Sequence, residues 1–160
     1  MNINELVALD IECYENYLLV MFKRFGDGKV LSFTKFNDST INLKSIHHIL
    51  TKYTIVTFNG IKYDHLIILA CLAGFTNKAI HKISLYIIGN NAQAWQVRKQ
   101  FGLADLEYDH IDLIEVAPLK ASLKIYAGRL HAPKMQDLPI HHLATINEAD
   151  LPLMESYCEN

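Results

Sequence analysis

Asp10 and Glu12 stand two apart in Ala8-Leu9-Asp10-Ile11-Glu12-Cys13, a run of short apolar residues that reads as a strand. Side chains at i and i+2 of a strand share a face, so the two carboxylates lie side by side. Like charges held this close repel unless a cation sits between them or water surrounds them. Alone, such a pair also describes an exposed strand end, and a short motif of this kind is weak. A third acid changes the reading. Phe58-Asn59-Gly60-Ile61-Lys62-Tyr63-Asp64 ends a second strand-like run and opens an almost wholly apolar helix with Asp64 in its first turn. Complementing the helix dipole returns at most about 1 kcal/mol, far less than burying a bare carboxylate costs. A metal ion nearby would offset that cost.

The elements that must position these acids follow from periodicity. Residues 5–11, 17–25 and 30–36 read as three strands, with Gly26-Asp27-Gly28 as a hairpin turn between the second and third. Asp38-Ser39-Thr40 offers helix N-caps ahead of Ile41, Leu43, Ile46, Ile49 and Leu50 at helical spacing. Residues 54–58 are β-branched and aromatic, and residues 63–73 are apolar all round, the signature of a helix buried under a sheet. Helices are expected at 77–88, 92–101 and 122–130, a strand at 110–116, an irregular connection at 132–139 and a last helix from 148 onward. A meander followed by alternating strands and helices implies an α/β fold: a mixed sheet covered by helices, its first strand central, with Asp10 and Glu12 at that strand's carboxyl end.

Composition narrows the class. The chain has 160 residues, 51% hydrophobic, with 15 Lys+Arg against 17 Asp+Glu, which suits one globular domain. The longest apolar run, residues 66–73, is far short of the roughly 20 needed to span a bilayer, so no membrane partner is expected. No signal-peptide pattern opens the chain, and three widely spaced cysteines make neither a disulfide framework nor a CxxC zinc site; a cytoplasmic setting is expected. A net charge of -2 argues against a uniformly basic nucleic-acid surface.

The motifs resemble those of the DEDD 3'-5' exonucleases, in the tyrosine-bearing (DEDDy) branch of the ribonuclease-H-like superfamily. The likeness is to the N-terminal proofreading domain of phage-type family B DNA polymerases. Asp10-Ile11-Glu12 is similar to the first motif, and Asn59 through Tyr63-Asp64 to the second. Tyr157-Cys158-Glu159-Asn160 is similar to the first four positions of the third, whose aspartate falls one position later. The resemblance implies a ribonuclease-H-like mixed sheet (three antiparallel strands, then parallel strands) flanked by helices. It also implies a single exonuclease-like domain over residues 1–160, cut short in its C-terminal helix. The implied activity is two-metal hydrolysis of single-stranded DNA from the 3' end, in the host cytoplasm if phage-encoded, with a polymerase domain as an optional continuation.

Residue by residue, the resemblance implies that Asp10 bridges two Mg²⁺ or Mn²⁺ ions, Glu12 holds the ion that activates water, and Asp64 supports the second ion. Such ions sit about 3.5–4 Å apart on the attacking and leaving oxygens. Tyr157 would orient the water as a neutral phenol, Lys134 would support the scissile phosphate, and Asn59 and Tyr63 would hold the 3' end. Lys120, Lys124, Arg129 and Lys134 form a basic stripe that could follow a phosphate backbone. One departure is Asp112-Leu113, where the protein-primed branch carries Ser/Thr-Leu against DNA; a carboxylate there would repel phosphate. The adjacent pairs His47-His48 and His141-His142 diverge and lack zinc partners. Trp95 reads as packing on an amphipathic helix, and Cys158, with no neighbouring base, does not read as a nucleophile. The alternative is a catalytically impaired nuclease-like module that holds single-stranded nucleic acid or a protein partner without cleavage, because the fourth metal-binding acid is missing from these residues.

Overall fold

The computed structural model describes residues 2–119, 121–132 and 137–159. After a 3-10 turn, β1 (Leu6–Tyr14), β2 (Tyr17–Arg24) and β3 (Val30–Phe36) form the expected meander. Then come α1 (Leu43–Lys52), β4 (Thr54–Thr57), α2 (Asp64–Leu72), α3 (Asn77–Asn90) and α4 (Ala94–Phe101). The chain continues through β5 (His110–Asp112), α5 (Leu113–Val116), α6 (Leu123–Arg129) and α7 (Leu151–Glu159). The sheet runs β3-β2-β1-β4-β5, antiparallel across β1, β2 and β3 and parallel across β1, β4 and β5, so β1 is central. This five-stranded mixed sheet is compatible with a ribonuclease-H-like arrangement. Among the described residues no helix is long and apolar enough to cross a membrane.

Alternation along β1 divides the sheet into two faces. Val7, Leu9, Ile11 and Cys13 enter the main core with Leu18, Val20 and Phe22, beneath α1, α2 and α3. Buried residues run along α2 from Leu66 to Cys71, which is why its sequence shows no polar stripe. The opposite face holds a smaller cluster of Tyr14, Tyr17, Leu19, Met21, Ile146 and Met154, on which α7 lies. The segment leading into α7 is tied down by polar contacts. Asn16 Nδ2 donates to the Ile146 carbonyl (2.8 Å) while its Oδ1 accepts from the Ile146 N–H (2.9 Å). The Tyr14 hydroxyl donates to the Ile140 carbonyl (2.9 Å).

Several boundaries differ from the sequence expectation. α1 starts at Leu43 because Asn42, not residues 38–40, accepts from the Ser45 N–H (3.0 Å); Asp38 instead accepts from the Asn77 N–H (2.6 Å). The strand expected at 110–116 stops at Asp112, whose side chain accepts from the Ile114 N–H (3.3 Å) and caps the one-turn α5. β1 continues past Asp10 to Tyr14, yet β4 pairs only with Leu6–Ala8. Asp10 and Glu12 thus lie mid-strand, but beyond the end of the parallel pairing. Trp95 is 60% exposed on α4, contrary to its reading as packing.

Met154, fully buried, is the anchor of α7 in the smaller core. Met154→Ala should lower unfolding stability by about 2–5 kcal/mol, as large-to-small core changes do. Urea denaturation followed by circular dichroism measures the loss.

Candidate metal centre and active site

Beyond Ala8 the β4-facing edge of β1 is unpaired, and the space there becomes a cleft of about 300 Å³. Its wall includes Asp10 from β1, Asp64 from α2, Cys158 from α7, Lys23 from β2, and Phe58 and Leu123. Asp10 and Glu12 project on the α7 side of the sheet, opposite Met21 and Leu19 of β2. Asp64 reaches the same cleft because the loop after β4 turns back on itself, with the Gly60 carbonyl accepting from Tyr63 N–H (3.2 Å) and His65 N–H (2.8 Å). The fold therefore brings together the acids of the first two motifs and the helix bearing Tyr157.

That loop is fixed by a residue the sequence reading assigned to repulsion. Asp112, buried at the end of β5, accepts from the Asn59 N–H through Oδ1 (2.6 Å) and the Ile61 N–H through Oδ2 (2.9 Å). Its charge is spent on two backbone donors rather than turned toward a phosphate. Asn59 between them has φ +65°, a left-handed conformation that asparagine tolerates better than most residues. At Gly60 a Cβ would stand 2.2 Å from Thr57 Oγ1 and 2.4 Å from Thr57 Cβ, so only glycine allows the approach.

Among the described residues none of Asp10, Glu12 and Asp64 pairs with a side-chain cation. Burial, with Asp10, Glu12 and Asp112 adding to it, holds the Asp64 carboxyl well above the usual range. Burial and the neighbouring Asp10 push Glu12 up to about 8. Asp10 is also raised by desolvation, although the residue retains solvent contact; hydrogen bonds from Cys158 and the Ile11 backbone oppose the shift. Lys23 lines the cleft, but its Nζ donates to the Glu159 carbonyl (3.0 Å), and the described ion pairs all lie elsewhere. Asp64 is buried, Glu12 half-buried and Asp10 exposed, and among the described residues no cation pairs with any of them, an arrangement whose oxygens could hold a hard divalent cation.

The other expected residues fall in different settings. Tyr157 is half-buried on α7, and burial together with Glu12 and Asp10 raises its phenol, which is neutral near pH 7. Tyr63 shares a hydrogen bond with Ser84 Oγ (2.7 Å) and packs against the main core. Asn59 lines an adjoining cleft of about 800 Å³ with Lys62, Ser122 and Asp112; Phe58 and Leu123 border both spaces. Lys134 lies outside the described residues, as does Lys120 of the basic stripe, and Lys124 pairs with Asp137. Sequence reasoning passed over Lys23, and read Asp112 as a repeller of phosphate and Cys158 only as a poor nucleophile. Lys23 was recoverable from the period of β2, since it stands two residues beyond Met21, the partner of Asp10.

Two outcomes follow from this geometry. Asp112→Ala removes the acceptor of three backbone N–H groups, those of Asn59, Ile61 and Ile114, and should cost about 2–4 kcal/mol, read by urea denaturation. The raised carboxyls also set a pH dependence. Between their ordinary range and about 8 the folded chain binds more protons than the unfolded one, so metal-free stability falls as pH rises through that window. Glu12→Gln should reduce the fall, and saturating Mn²⁺ should do the same by binding the folded state; melting temperatures from pH 5 to 8.5, with and without Mn²⁺, measure both.

Searches against family models, curated proteins and solved structures match this chain to none of them.

Proposed function

We propose that the chain is a metal-dependent 3'-5' exonuclease acting on single-stranded DNA, of the proofreading kind its motifs resemble. The observation that carries the reading is the convergence of Asp10, Asp64 and α7 on one cleft, with Glu12 beside Asp10 on the same strand face. Asp10, Glu12 and Asp64 would hold the divalent ions, which supply Lewis-acid stabilisation of the phosphodiester and lower the pKa of bound water. The neutral phenol of Tyr157 offers a donor and an acceptor to orient a water but not a general base. Lys23, exposed at the cleft, adds a cation that can approach a phosphate once released from the Glu159 carbonyl.

Two clefts that share Phe58 and Leu123 in their walls support a strand substrate over a small molecule. A chain of nucleotides entering past Asn59 and Lys62 meets Phe58 and Leu123 before it reaches the acids, so apolar side chains would contact bases where carboxylates meet the backbone. Base stacking on aromatic residues contributes about 1–3 kcal/mol per base and tolerates any sequence. Asp112 acts through the loop it secures and is a positioning residue.

The test is trimming of 3'-labelled single-stranded DNA with Mn²⁺, using the 160-residue chain and the same chain extended by one aspartate after Asn160. The extended chain should shorten the label stepwise, and Asp10→Ala in it should slow the reaction by about 10²-fold or more, the scale for losing a transition-state electrostatic partner. No trimming by the extended chain overturns the reading. Strand binding retained without cleavage would instead favour the non-cutting module.

A further inference from the structure

Cys158 gives the acidic cleft a donor of a different chemical kind. Its Sγ donates to Asp10 Oδ2 at 3.3 Å, and one donor atom each from Asp10, Glu12 and Cys158 all lie within 4.8 Å of one another. A tetrahedral Zn²⁺ with Zn–S near 2.3 Å and Zn–O near 2.0–2.2 Å spaces its ligand atoms about 3.5 Å apart. The trio must therefore draw closer together to hold such an ion. An independent observation points the same way: Asp64, 7% exposed, lines this cleft, and among the described residues no other residue donates to its carboxylate. A buried acid without a donor from another residue, on the wall that also carries Asp10 and Cys158, marks a place for a cation.

We propose that Asp10, Glu12 and Cys158 form a mixed oxygen–sulfur site that takes a thiophilic divalent cation, Zn²⁺ in preference to Mg²⁺. This rests on the carboxylates of the proposed exonuclease centre and adds sulfur to their ligand set. Two carboxylates and one thiolate are three protein ligands, the number at which zinc keeps an open position for water or an oxygen of the substrate. On binding, the Cys158 S–H bond breaks, a sulfur–metal bond forms and the proton leaves to solvent, as does any proton held by the two acids. Sulfur selects zinc and cadmium over magnesium because soft donors bind soft ions better. Occupation by zinc would take the Asp10 and Glu12 oxygens away from hard ions, so zinc would act as a competitor of Mn²⁺ at this centre.

Neither of the other thiols can imitate the signal by proximity. Cys13 points from β1 to the other face of the sheet, and Cys71 is buried on α2 within the main core.

The experiment titrates the 160-residue chain with Cd²⁺ as a spectroscopic probe and with Zn²⁺ and Mn²⁺ by calorimetry, in the wild type, Cys158→Ser and Asp10→Asn. Circular dichroism of each variant checks folding. The expected result is a thiolate-to-cadmium ultraviolet charge-transfer band in the wild type that vanishes in Cys158→Ser. That variant should weaken Zn²⁺ by about tenfold or more while keeping Mn²⁺ affinity within about threefold, a smaller change than loss of any inner ligand gives. Asp10→Asn should weaken both ions. Mn²⁺ binding in a wild type that gives no cadmium band overturns the sulfur site and leaves the carboxylate centre standing. A band that survives Cys158→Ser also overturns the sulfur site. Binding of neither Mn²⁺ nor Zn²⁺ overturns both.

Discussion

The burial of Asp64, with the partial burial of Glu12 beside Asp10, is the constraint around which the rest of the molecule is arranged. Carboxyls held out of water beside one another resist ionisation, and the raised proton affinities of Glu12 and Asp64 express that resistance. Such a grouping survives only on a scaffold rigid enough to refuse relaxation. The central position of β1, paired along its length with β2 and at its start with β4, supplies that rigidity. The apolar α2 supplies the rest by locking Asp64 at the head of a helix whose body is core.

The two faces of the sheet divide the labour. One carries the main core and is self-sufficient in apolar burial; the other presents acids near the end of the parallel pairing and is closed by α7 over a small cluster. The active-site candidates lie on this second, thinner face, where a cleft can open without breaching the main core. Asp112 connects the halves, since it closes β5, starts α5 and secures the backbone after β4. A single buried carboxylate thus sets both the shape of the second-motif loop and the direction in which the chain leaves the sheet.

The antiparallel meander, the central first strand and the buried helix were legible in the sequence because each rests on periodicity, which survives without knowledge of tertiary partners. Asp10, Glu12 and Asp64 were legible because acids in apolar runs are costly and therefore informative. What was hidden depended on partners distant in sequence. The preference of α1 for Asn42 as its cap follows from Asp38 being engaged with Asn77. Asp112 looked like a repulsive surface acid until its two backbone donors, more than fifty residues earlier, came into contact with it. Cys158 was judged as a nucleophile, for which it lacks a base, and its nearness to Asp10 could not be seen from either end of the chain. Trp95 misled because helical spacing says which residues share a face but not whether that face is covered.

The bidentate clasp of Asn16 on Ile146 joins the turn after β1 to the segment before α7, across 130 positions of chain. Its consequence is one of order in time. On a ribosome the first strand and its acids emerge long before the helix that completes their cleft, and until that helix docks, the carboxylates face water and are hydrated rather than crowded. The crowding of these acids is therefore a property that the polypeptide acquires last, with closure of its longest-range contacts. β1 can thus pair with its neighbours while its acids are still hydrated.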